Sequence, residues 1–171
     1  MNTPRTRTGF RKCSLCAVLA GLGLMLSTGL ALAQNTLSAG DVKGSAGQAA
    51  AVPITISTGS NNVAFFAVTF KVVPQGDVPA ITEKLTYQAA TGVSAPDLQT
   101  TVQAQGKLAI GYVGVTINPA LSGTAMVGTL MVPVPAGAAG GYQVQLEKIS
   151  AGDSSGNRIT LTGQPGTIAV K

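Results

Sequence analysis

Over most of its length this chain repeats every two residues, and that period decides what it can build. Ala50, Val52, Ile54 and Ile56 alternate with Ala51, Pro53, Thr55 and Ser57. Phe66, Val68, Phe70 and Val72 alternate with Phe65, Ala67, Thr69 and Lys71. Successive side chains of a strand point to opposite sheet faces, so this pattern predicts strands with one buried face. Leu108, Ile110 and Tyr112 alternate in the same way, as do Tyr142, Val144 and Leu146. No apolar period of 3.6 residues is sustained anywhere after residue 34.

Turn-forming residues divide the strands. Gly59-Ser60-Asn61-Asn62 and Asp153-Ser154-Ser155-Gly156-Asn157 are turns by composition. Pro74 to Pro79, Asn118-Pro119 and the Gly/Ala-rich stretch from Pro135 to Gly141 read as loops. Further strands are expected near Leu85 to Tyr87, Gln99 to Gln105, Met126 to Val134, Arg158 to Thr162 and Thr167 to Lys171. Met126 to Val134 is apolar on both faces, as a central strand is. About nine strands spaced by turns predict one β-sandwich.

The first 33 residues follow another logic. Arg5, Arg7, Arg11 and Lys12 precede an apolar run from Cys13 to about Leu32, closed by Ala31-Leu32-Ala33 before Gln34. That is the layout of a secretory signal peptide cleaved after Ala33. A retained membrane anchor is the rival reading, since the run is about the length that spans a bilayer, roughly 20 residues. The expected organisation is a signal-peptide helix at 1–33 and one exported domain at 34–171, secreted or periplasmic. Contact with a membrane is then confined to export.

Composition narrows the chemistry. The chain has 11 Lys+Arg and 6 Asp+Glu. Four of the basic residues lie in the leader, which leaves the domain near neutrality, without the basic stripe that nucleic-acid binding needs. Both cysteines, Cys13 and Cys16, also lie in the leader, and histidine is absent. Nucleophile–base pairs of the common kinds, and ordinary zinc or copper sites, have no residues to build them. A glycosidase needs two convergent carboxylates. Asp77, Glu83 and Asp97 fall in the least regular segment, where solvated loop acids are the plainer reading. Asp153 to Asn157 offers oxygens to calcium, but one carboxylate is few for that ion, and a hydrogen-bonded Asx turn explains it. The expectation is a non-catalytic protein with no cofactor and no metal.

The order of these signals resembles the cohesin domain, from about Leu37 to Val170. Gly44-Ser45-Ala46-Gly47 before Ala51-Val52-Pro53-Ile54 is similar to the family's opening turn and strand. Val68-Thr69-Phe70, Gly106-Lys107-Leu108-Ala109-Ile110 and Gly128-Thr129-Leu130-Met131-Val132 resemble later strands. Val134-Pro135-Ala136-Gly137 with Tyr142-Gln143-Val144 resembles another step, and Ala151-Gly152-Asp153-Ser154-Ser155-Gly156-Asn157 the A-x-D-x-x-G-N turn. Where cohesins follow the third strand with Tyr-Asp-Pro, this chain reads Lys71-Val72-Val73-Pro74-Gln75-Gly76.

The resemblance implies a nine-stranded jelly-roll sandwich that docks a protein partner, a dockerin-bearing one in that family, through one sheet face. On this sequence that face implies Phe65, Ala67, Thr69 and Lys71, with Lys107 and Ala109 beside them. Phe65 is either an exposed anchor or a residue covered by a loop. A carbohydrate-binding or cell-envelope adhesive module on the same sandwich, tied to polysaccharide breakdown, is the alternative. Such modules stack sugars on exposed aromatics. Tryptophan is absent, Phe66, Phe70, Tyr112 and Tyr142 read as core, and only Phe65 and Tyr87 read as outward.

Overall fold

In a computed structural model the described residues are 35–171 without 60, 103–104, 114–116 and 118–119. The expected signal peptide at 1–33 and the expected Asn118-Pro119 loop lie outside them. Twelve strands appear among the described residues, where about nine are expected from the sequence. They are β1 (Thr36–Ala39), β2 (Val42–Gly44), β3 (Ala49–Ser57), β4 (Phe65–Gln75), β5 (Thr86–Ala89) and β6 (Leu98–Val102). Then follow β7 (Lys107–Tyr112), β8 (Thr124–Pro133), β9 (Gly140–Gly152), β10 (Arg158–Ile159), β11 (Thr162–Gln164) and β12 (Gly166–Val170).

The strands form two sheets, as the sandwich reading requires. One runs β11-β1-β3-β8-β5; the other runs β2-β12-β9-β4-β7-β6, with β10 added to β9. The extra strands arise where the chain changes sheet. β1 pairs with β3 and β11, whereas β2, two residues later, pairs with β12 in the other sheet. The Asp41 carboxylate sits at that crossover and accepts from the Thr167 N–H (2.8 Å) and hydroxyl (2.7 Å). Those hydrogen bonds, the hydroxyl's above all, hold its carboxyl below the ordinary range. The expected strand from Arg158 to Thr162 is likewise two strands: β10 pairs with β9 and β11 with β1.

Two other boundaries move for physical reasons. β4 runs on through Pro74, where the sequence predicts a loop. Val72 N–H donates to Gly106 O (2.9 Å). Pro74, two residues on, presents its donorless nitrogen to that same side, past the end of β7, while the strand continues along β9. β9 extends to Gly152 across a register shift opposite Val68, where Lys148 takes a positive φ of 52°. That is a β-bulge, which admits one extra residue and re-aims the strand.

The core fills the space between the sheets. Phe66, Val68, Phe70 and Val72 are all buried, as their alternation predicts. Tyr112 packs on Phe66 with ring centroids 4.9 Å apart. β8 is an interior strand as expected, but one of its faces is open: Met126 is exposed while Val127, Leu130 and Val132 are buried. Tyr87 is a correction. Its sequence context predicts an outward ring, yet it is buried, stacked against Phe70 (6.4 Å, 16° between planes), with its hydroxyl donating to Val127 O at 2.8 Å. Burial pushes its pKa well up.

Candidate protein-binding face

The outer side of the seven-stranded sheet gathers every residue that the resemblance pointed to. Pairing of β4 with β7 places Ala67 beside Gly111, Thr69 beside Ala109 and Lys71 beside Lys107. Pairing of β7 with β6 continues those rows to Leu98, Thr100 and Val102. On the other flank, β9 brings Ser150 to Ala67, Glu147 to Thr69 and Gln145 to Lys71. Directly opposed residues share a face, so three rows cross four strands on one surface. Phe65, Ala67, Thr69, Lys71, Lys107 and Ala109 are half-buried along it.

The middle of this face is low. Ala67, Gly111, Thr69 and Ala109 are small, and taller side chains stand around them. Leu98 and Val102 rise on the β6 flank, 43% and 44% exposed. At one end Phe65, Ala67, Val113, Ser150 and Ala151 line a shallow hollow of about 160 Å³. Val113 beside Phe65 is 63% exposed, so the two form an apolar rim there. Alternation along one strand shows which residues face outward. It does not show that Leu98, Gly111, Val102 and Glu147 join them, because that depends on register between strands far apart in sequence.

Charge is concentrated at the opposite end. Glu147 lies between two lysines: its carboxylate accepts from Lys107 Nζ at 3.1 Å and is 3.9 Å from Lys71 Nζ. Such partly exposed pairs contribute little to stability, about 0–1 kcal/mol. Their effect is to fix the lysine stems, and with Lys148 lining one hollow with Lys107 and Glu147 the cluster leaves a surplus of positive charge beside the small-residue trough.

Of the remaining candidate acids, Asp153 and Asp97 are held in hydrogen bonds. Asp153 accepts from Ser155 N–H (2.9 Å), Asn157 N–H (2.8 Å) and Asn157 Nδ2 (2.9 Å), the Asx turn expected of this sequence. Hydrogen bonding, with the Asn157 side chain foremost, lowers its pKa. Asp97 Oδ1 accepts from Val113 N–H (3.0 Å), and Asp77 and Glu83 are exposed. Tyr142 is buried, its hydroxyl donating to Pro79 O (2.8 Å), and Tyr112 is buried as well. Phe65 is therefore the one aromatic of the sandwich turned outward among the described residues.

Solved structures match this arrangement over about four-fifths of the chain. CaCohA2 of Clostridium acetobutylicum, in complex with a CaDoc0917 variant, superposes with a TM-score of 0.63 at 22% identity, covering 81% of this chain and 100% of that one. This is the cohesin fold. The sixth cohesin of Acetivibrio cellulolyticus scaffoldin B, in complex with a Cel5 dockerin mutant, matches with a TM-score of 0.61 at 16% identity, covering 81% and 99%. A non-cellulosomal cohesin from the archaeon Archaeoglobus fulgidus matches with a TM-score of 0.60 at 17% identity, covering 81% and 92%. No protein-family model matches the sequence, and no curated protein does. The cohesin likeness read from short sequence pieces thus holds at the level of the fold.

Proposed function

We propose that this chain is an exported, non-catalytic binding module that docks a dockerin-type protein through the outer face of β9, β4, β7 and β6. One observation carries the reading: four adjacent strands present a shallow trough of small residues, rimmed by Phe65, Val113, Leu98 and Val102 and marked at one end by Lys71, Lys107 and Glu147. A small-residue floor lets a partner's helix or strand come close. The apolar rim supplies area to bury, and the charges set orientation. Several of the cohesins with this fold were solved in complex with dockerin partners, which supports the class of partner.

Phe65 is the expected anchor, because interfaces concentrate their energy in a few such side chains. Phe65→Ala should weaken partner binding by about tenfold or more, roughly 1.4 kcal/mol, with thermal unfolding nearly unchanged. The partner is obtained by pull-down from the producing organism's secreted proteins, and titration against the captured, dockerin-bearing protein gives the affinity. A variant that melts much lower yet binds normally would show Phe65 to be a packing residue and move the interface elsewhere. Retention on insoluble polysaccharide, with no dockerin-bearing protein captured, would replace the protein-docking reading with the carbohydrate one.

Export rests on the leader. Ala31 and Ala33 suit a signal peptidase, so the released protein should begin at Gln34. Mass spectrometry of the secreted protein checks this. A membrane-held species that retains Cys13 and Cys16 would make the chain a tethered one.

A further inference from the structure

The seven-stranded sheet ends in an open edge. Among the described residues β6 pairs with β7 alone, and Leu98, Gln99, Thr100 and Val102 are all exposed. An edge strand presents unpaired N–H and C=O groups, and proteins blunt such edges with lysine, proline, bulges or short length. The other edges among the described residues are shorter: β2 and β11 have three residues each, β5 has four, and β2 carries Lys43. β6 has five residues, Leu98-Gln99-Thr100-Thr101-Val102, with no charge, proline or glycine, and no register shift against β7.

This edge is complementary to itself. Antiparallel pairing centred on Thr100 sets Thr100 against its copy, Gln99 against Thr101, and Leu98 against Val102. Opposed residues lie on one face, so both Leu98–Val102 pairs bring together the side chains that now stand exposed on the outer face. No charge opposes another across the strands. We propose that β6 is a self-association edge, adding to β6 of a second copy about a two-fold axis at Thr100. A second copy fits better than a foreign strand because the two ends of this short sequence satisfy each other, as an isologous contact requires. The axis is normal to the sheet, so the outer faces of both copies look the same way and form one continuous surface.

Five residues per copy bury far less than the standard interface of about 1,600 Å². The dimer should therefore be weak and reversible, with Kd between about 10 µM and 1 mM. Sedimentation equilibrium of the purified protein up to millimolar concentration reads this directly. Thr100→Lys and Thr100→Glu each place like charges face to face and should weaken association about tenfold or more, with melting unchanged because Thr100 is exposed. Mixing the two variants should restore the dimer, since Lys then faces Glu. Met126→Lys, exposed on the other sheet, should leave association intact. A wild-type protein that stays monomeric throughout would overturn the proposal, even if it captured a foreign strand. So would a dimer indifferent to both Thr100 variants, or a mixture no tighter than its parents.

Discussion

Phe70→Ala should cost this domain about 3–5 kcal/mol, the range for truncating a buried Phe. Its ring is wholly buried, and it reaches from the seven-stranded sheet to Tyr87 of the five-stranded one. Truncation therefore removes packing inside one sheet and also opens a gap between the two. A close-packed interior relaxes only partly around such a gap, which is why the loss exceeds simple transfer of the ring to water. For a domain of this size the melting temperature should fall by roughly 10 °C or more. Urea unfolding followed by two probes gives the free energy and checks that the transition remains two-state. A loss below about 1 kcal/mol would mean that β4 is turned over, since a one-residue slip exchanges the two faces of a strand. Phe65, Thr69 and Lys71 would then be core, and the proposed docking face would vanish with them.

The same strand shows why part of this protein can be read from its sequence. In β4 alternation runs over eight residues without interruption, from Phe65 to Val72, and each buried or half-buried position follows from it. Nothing distant is needed, because the period is a local property. The crossovers are different. Ala39 and Val42 look locally like one opening strand, yet they lie in different sheets because their partners, β3 and β12, do. A partner choice made more than a hundred residues away leaves no local mark. The candidate face falls between these cases. Its β4 row is legible, while Gly111, Leu98, Val102 and Glu147 enter only through register and through the bulge at Lys148.

Tyr87 is the sharpest case of a residue whose place is decided elsewhere, and it yields the second large effect. Its ring lies across Gly128 of β8, and a Cβ added at Gly128 would collide with the Tyr87 ring and hydroxyl and come within 2.5 Å of Gln88 O. The tyrosine is buried because a side chain is missing on the neighbouring strand, which inspection of residues 85–89 alone does not show. Gly128→Ala should therefore displace the ring. Overpacking of this kind costs about 1–3 kcal/mol. Losing the hydrogen bond from Tyr87 to Val127 O adds about 1–3 kcal/mol if the buried hydroxyl finds no other partner. The expected total is about 3 kcal/mol or more for one added methyl group. A double-mutant cycle separates this from a general intolerance of β8. In a Tyr87→Ala background the ring is gone, and although the Gln88 carbonyl still crowds the site, Gly128→Ala should cost less than half as much. An equal cost in both backgrounds would mean that the β5 backbone, and not the Tyr87 ring, excludes a side chain at position 128.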